Sequence, residues 1–274
     1  MTFVKIFFLF LLLTLTSSST SAQGCQVKNT SFTFGERLDY VIYYYFAGIW
    51  VSAGTVYFEV DSSRIGNELY YHFDSYGRTY KKYDWIYKVR DHYQAYANAK
   101  TFQPLRFNRS VNEGSTYIRE DCIFNQKRQE AYTLRQLDED APLIKDTVPL
   151  QPCIYDPMTT IYYARTLDFS DVEVNEKVSL KIFLDNQVYD TYVRYLGKEN
   201  LKVKGLGEFK CIVFSPLLIE GTMFNIGEDM TVWVTDDQNR IPLLIKTPIL
   251  VGDIKARLSD FKGLRHEIKS KISD

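Results

Sequence analysis

Histidine is scarce in this sequence: His72, His92 and His266 are the only three in 274 residues. No two of them stand at the spacing of a metal-binding pair, so a histidine-based zinc site is not expected. There is no G-x-S-x-G elbow, no P-loop and no G-x-G-x-x-G. Gly205-Leu206-Gly207 lacks both the third glycine and a helix behind it. Asp236-Asp237 falls in a turn-forming stretch, where acidic side chains bond to nearby backbone. A calcium loop would need more oxygen ligands at fixed spacing. Carboxylates are plentiful, yet no spacing marks a glycosidase pair. From sequence, then, no catalytic residue, no cofactor and no metal site is expected.

An excess of either charge is also missing. The chain carries 33 basic and 34 acidic residues, a net −1. That balance argues against nucleic acid as a partner. After the N-terminus no apolar segment approaches the roughly 20 residues that a membrane span needs.

The N-terminus itself reads as an export signal. Lys5 precedes the apolar run Ile6 to Leu15, and the small, polar stretch Ser17 to Ala22 follows. Cleavage is expected after Ala22, leaving residues 1–22 as signal peptide and Gln23 as the new terminus. A rival reading takes Ala22-Gln23-Gly24-Cys25 as a weak lipoprotein processing site that would acylate Cys25. Both readings export the protein, to the periplasm or to the outer membrane. Four cysteines survive export: Cys25, Cys122, Cys153 and Cys211. In an oxidising compartment they are candidates for disulfides, with the pairing left open.

Alternation dominates what remains. Leu38, Tyr40, Ile42 and Tyr44 share one face of a strand, and Val41, Tyr43 and Tyr45 share the other. Apolar character on both faces suits a strand covered on two sides. Further strands are expected over Gly54–Val60, Glu68–Asp74, Tyr93–Ala97, Leu105–Ser110, Thr116–Phe124 and Val178–Leu184. Others follow over Tyr189–Leu196, Leu201–Val203, Lys210–Ser215, Met230–Thr235, Pro242–Lys246 and Ile254–Phe261. Asp61 to Gly66 and Gly197 to Asn200 read as turns, and Leu137 to Thr147 as a loop. Turns recur about every ten residues, the mark of a sandwich, barrel or rolled sheet. Aromatics make up 15% of the chain, enough to line a groove for a lipid or glycan, though ordinary sheet packing uses them too.

One helix stands out. Asp156 suits an N-cap and Pro157 the first helical position. Met158, Ile161 and Tyr162 then form an apolar stripe that ends near Leu167. The expected architecture is mostly β: a curved antiparallel meander or rolled sheet with one principal helix packed on it. Residues 23–263 form a single domain and 264–274 a polar tail. If the sheet holds a cavity, Met158, Ile161 and Tyr162 form part of its wall.

Several motifs occur in order. They are Phe34-Gly35-Glu36-Arg37-Leu38-Asp39-Tyr40, Trp50-Val51-Ser52-Ala53-Gly54 and Cys153-Ile154-Tyr155-Asp156. Arg194-Tyr195-Leu196-Gly197-Lys198-Glu199 and Cys211-Ile212-Val213-Phe214-Ser215 come next, then Val234-Thr235-Asp236-Asp237 before Arg240-Ile241-Pro242. Together, over about Asn29 to Gly263, they resemble the domain-of-unknown-function family 3108 of exported proteins from Bacteroidetes and other Gram-negative bacteria. The resemblance implies a curved sheet with helices on its concave side, similar to lipoprotein-carrier proteins. It implies no enzyme and no catalytic residue. The resulting expectation is a non-enzymatic periplasmic binding or carrier protein for a lipid or other amphiphile. The alternative is a structural or assembly factor that contacts an envelope protein; an unrecognised hydrolase is a third. A large apolar cavity favours the first, and an exposed apolar patch without one favours the second.

Overall fold

The computed structural model describes residues 27–46, 48–219, 227, 230–249 and 252–273. The expected signal peptide, its cleavage site and Cys25 lie outside the described residues. Strands β1 (Glu36–Phe46), β2 (Ile49–Ile65), β3 (Glu68–Thr79) and β4 (Arg90–Asn98) begin a meander. It continues through β5 (Pro104–Glu113), β6 (Thr116–Asn125), β7 (Glu130–Gln136) and β8 (Ile144–Pro149). Helix α1 (Pro157–Ala164) follows. A second meander comprises β9 (Lys177–Leu184), β10 (Gln187–Val203), β11 (Gly207–Pro216), β12 (Thr231–Thr235), β13 (Pro242–Pro248) and β14 (Asp253–Lys262). A short β15 (Lys271–Ser273) ends it.

All of these strands belong to one sheet, ordered β8-β7-β6-β5-β4-β3-β2-β1-β14-β13-β12-β11-β10-β9, with β15 beside β11. The ladders are antiparallel. The two meanders join where β1 pairs with β14, Tyr40 opposite Leu258. Only one face of β1 is buried, through Glu36, Leu38 and Tyr40. Val41 and Tyr43 on the other face are half-buried and Tyr45 is exposed, so the strand is not covered on two sides, against expectation.

The sheet curls but does not close. Its terminal strands β8 and β9 share no ladder. Side chains bring the two ends together instead: Asn186 Nδ2 in the β9–β10 turn donates to Asp146 Oδ2 of β8 at 2.7 Å, and Phe124 of β6 meets Phe183 of β9 edge-on at 5.7 Å. Curvature has a visible source at Gly54. A β-carbon there would lie 2.3 Å from the Arg78 carbonyl oxygen. The β1–β2 register slips opposite it, between Ile42 and Tyr43. A bulge of this kind bends a strand pair, and only glycine permits the approach.

Several local expectations need correction. Asp61 to Ile65 is not a turn but the end of β2, paired down to Ile65 opposite Glu68. Both faces of that hairpin arm meet water, so its residues are polar. Glu130–Gln136 was not among the expected strands, and Ile144–Pro149 forms β8 where a loop was expected. An edge strand exposed on both faces has no apolar pattern to read. Gly197 does not end a strand: β10 runs through it with a register shift and a φ of 101°, a bulge rather than a turn. Residues 264–273 do not stand off the domain as a polar tail. Leu264 and Ile268 pack on the core around Cys211, and Asp237 Oδ2 accepts from the Ser270 hydroxyl at 2.8 Å. Asn239 and His266 add reciprocal bonds of 3.0 Å.

Candidate functional site

Helix α1 lies inside the curl. Asp156 caps it as expected, accepting from the Thr159 amide at 2.9 Å and its hydroxyl at 2.6 Å. Burial pushes the Asp156 carboxyl up to about 6 against those bonds. Just before the helix, Tyr155 lines the outer edge of β9: the Phe183 amide donates to its carbonyl at 2.8 Å. One apolar cluster joins Met158 and Tyr162 of α1 to Phe73 of β3, Phe107 of β5, Phe124 of β6 and Phe183 of β9. Strands distant in the sheet order thus meet around one helix, which places α1 on the concave side.

The three expected wall residues part company here. Tyr162 stacks on Phe73 with centroids 4.0 Å apart, and Phe32 meets Tyr162 edge-on at 5.0 Å. Met158 is buried beside them. Ile161, by contrast, is 42% exposed. At about 100° per residue, positions 158, 159 and 162 share one arc and position 161 points away from it. Ile161 is therefore no part of an interior wall, and the interior that Met158 and Tyr162 face is filled by aromatic rings. Two depressions, of about 370 and 660 Å³, are open to solvent, the first lined by outward residues such as His92, Asn108 and Asp121.

The cysteines divide as well. Cys153 is disulfide-bonded. Cys122 and Cys211 are free thiols, against the possibility that either is bridged. They lie in different core clusters, one in each half of the sheet, and cannot reach each other. Burial pushes the Cys211 thiol up to about 12 and raises that of Cys122 too, so both are poor nucleophiles.

Three polar constellations escaped sequence reasoning. Arg165, which ends α1, grips Glu36 through both guanidinium prongs and donates to the Asn239 carbonyl at 2.9 Å. Burial opposes its charge, but Glu36 outweighs burial and raises the Arg165 pKa. At the seam, Asp185 in the β9–β10 turn binds Arg109 of β5 and Arg135 of β7, and Arg109 also meets Glu120 at 2.6 Å. Asp91 of β4 and Glu113 of β5 form a buried carboxyl pair. Burial and the Glu113 carboxyl push Asp91 up to about 8, against a bond from the Asn112 amide. One signal was available. Arg109 and Glu113 alternate in phase with Phe107 and Val111, so strand parity turns them inward.

On the outer face, Asp74 accepts from Tyr57 at 2.6 Å and lies 2.7 Å from His92 Nε2. Ser110 stands opposite His92 in the β4–β5 register. Despite these residue types, the strands spend their N–H groups on the ladder, which leaves none there for an oxyanion. His72 stacks on Tyr96 and His266 bonds the Thr30 carbonyl. Among the described residues no group of three or more His, Cys, Asp or Glu is placed to hold a metal ion.

A family model described as "Protein of unknown function (DUF3108)" matches residues 39–259. No curated protein matches the chain. A crystal structure of a beta-barrel-like protein of domain of unknown function DUF1849 from Brucella abortus is similar in fold. It has a TM-score of 0.51 at 11% identity and covers 86% of this chain and all of its own.

Proposed function

Because the chain belongs to the DUF3108 family of proteins of unknown function, we propose from its own geometry that it is a non-enzymatic envelope factor. It acts through its outer surface, in structure or assembly, rather than by carrying a guest. The observation behind this is the filled interior, where Tyr162 lies flat on Phe73 at 4.0 Å. A carrier of hydrophobic ligands needs apolar space of several hundred Å³. Here α1 occupies the place such a ligand would take. Export, cleavage after Ala22 and residence in the periplasm or at the outer membrane belong to the same proposal, supported by Lys5, Ile6–Leu15 and the small residues that follow.

Native mass spectrometry of the protein recovered from the envelope tests the reading. The expected species is the polypeptide without a non-covalent lipid, and added fatty acid leaves its melting temperature unchanged. A stoichiometric apolar guest that raises the melting temperature overturns it in favour of the carrier. Deleting the gene is expected to raise the detergent sensitivity of the cells, with recovery on re-expression.

A further inference from the structure

The β3–β4 connection lies at one rim of the sheet, beside the β1–β2 turn, where the Tyr80 amide donates to the Ala53 carbonyl at 2.9 Å. It is a built loop. A short 3-10 turn, Lys81–Tyr83, starts it, and the Ile86 amide closes on the Tyr83 carbonyl at 2.9 Å. Asp84 braces it from within, bound by the Thr79 hydroxyl at 2.8 Å and by Arg90 at 2.6 Å. The Tyr87 ring lies over Gly114, so close that a β-carbon there would sit 2.7 Å from Cε2.

All this order holds two large apolar side chains in water. Trp85 is 83% exposed and Ile86 63%. The indole N–H of Trp85 is bonded back to the Lys82 carbonyl at 3.0 Å, so the ring itself is what the loop offers outward. At the start of β2 beside it, Ile49 is 62% exposed. Charge surrounds this wedge. Within residues 78–90, Arg78, Lys81, Lys82, Lys88 and Arg90 stand against the single acid Asp84, which Arg90 engages; the acids Asp91 and Glu113 lie beside Val89 but are buried. Lys255 lies 4.0 Å over the Trp50 ring nearby. Asp138, Glu139 and Asp140 stand apart from it, on the β7–β8 loop.

A tryptophan and an isoleucine ringed by lysines match the layered chemistry of a bilayer interface, apolar at acyl depth and anionic at the phosphates. We propose that this rim docks the protein on an anionic lipid surface. Trp85 and Ile86 enter the headgroup layer, and Lys81, Lys82 and Lys88 lie against the phosphates. The inference goes beyond the outward-acting reading, which stands or falls by the content of the interior instead.

Vesicle flotation of the protein purified from the envelope tests it, alongside W85A/I86A and K81E/K82E variants of the same chain. The parent is expected to float with phosphatidylglycerol–phosphatidylethanolamine vesicles, to be released by high salt, and to ignore phosphatidylcholine. Each variant is expected to bind about tenfold more weakly or worse, as each surface lysine adds attraction to anionic lipid. Unchanged melting temperatures show the folds intact. If W85A/I86A does not fold, the lysine pair carries the test, since both side chains are solvated. Equal flotation of parent and variants, or no flotation at all, overturns the proposal. So does a parent that ignores vesicles but forms a dimer which W85A/I86A makes monomeric; the rim is then a protein interface.

Discussion

Arg165 and Glu36, 129 residues apart in sequence, form a two-pronged ion pair inside the protein, with side chains 3% and 1% exposed. One residue ends the interior helix; the other begins the strand where the two meanders join. The guanidinium also lies 5.3 Å from the Phe32 ring and 5.6 Å from that of Tyr162, so charge and core meet at one point.

Removing one partner is expected to be far worse than removing both. Glu36→Ala leaves a buried cation with only a carbonyl to answer it, a loss of about 3–5 kcal/mol. The double variant E36L/R165M leaves no orphan charge and is expected to recover part of that. Urea denaturation of parent, single and double variants checks the order; a single variant within 1 kcal/mol of the parent would show the pair to be dispensable.

Neighbouring positions of α1 are expected to respond in opposite ways. Ile161→Asp faces water and is expected to shift stability by no more than about 0.5 kcal/mol. Tyr162→Ala empties the stack on Phe73 and is expected to cost about 3–5 kcal/mol. Thermal melts of the two variants decide it, and a collapsed I161D would mean that the helix is turned the other way.

The Asp91–Glu113 pair makes stability depend on pH. An aspartate in the unfolded chain titrates near 3.9, whereas burial beside Glu113 pushes Asp91 up to about 8 in the fold. The folded state therefore holds the proton more tightly, so stability falls as pH rises between those values. The parent's melting temperature is expected to drop from pH 5 to pH 8, the stretch between the unfolded value and that raised one. Asp91→Asn keeps the acceptor for the Asn112 amide and should flatten the slope. A parent curve that rises through this range would contradict the sign.

Asp185 is expected to hold the seam shut. Asp185→Asn suits the left-handed turn (φ 53°) but weakens the hold on Arg109 and Arg135, leaving Glu120 as their remaining acid. A loss of about 1–3 kcal/mol is expected, the scale of a hydrogen bond to a charged group. Hydrogen exchange should quicken first in β8 and β9. Uniform exchange across the sheet would show that the seam does not open separately.

Much of the architecture was legible locally. Alternation in Leu38 to Tyr45 placed β1, and Asp156-Pro157 placed the start of α1, because strand parity and helix capping act within a few residues. β8 was not legible, since a strand wet on both faces carries no apolar code. Neither was the docking of 264–273, whose partners Asp237 and Asn239 stand about thirty positions earlier.

By itself the sequence determined a β-rich chain, one capped helix, four dispersed cysteines and the absence of familiar catalytic motifs. Those are properties of short windows, decided by backbone sterics and periodicity. Only the tertiary structure decided that the sheet curls without closing, that Tyr162 rather than Ile161 faces inward, and that Cys122 and Cys211 stay apart. It also decided that Glu36 meets Arg165 and that Trp85 stands in water. Each of these depends on which distant surfaces pack together, and no local pattern encodes that choice.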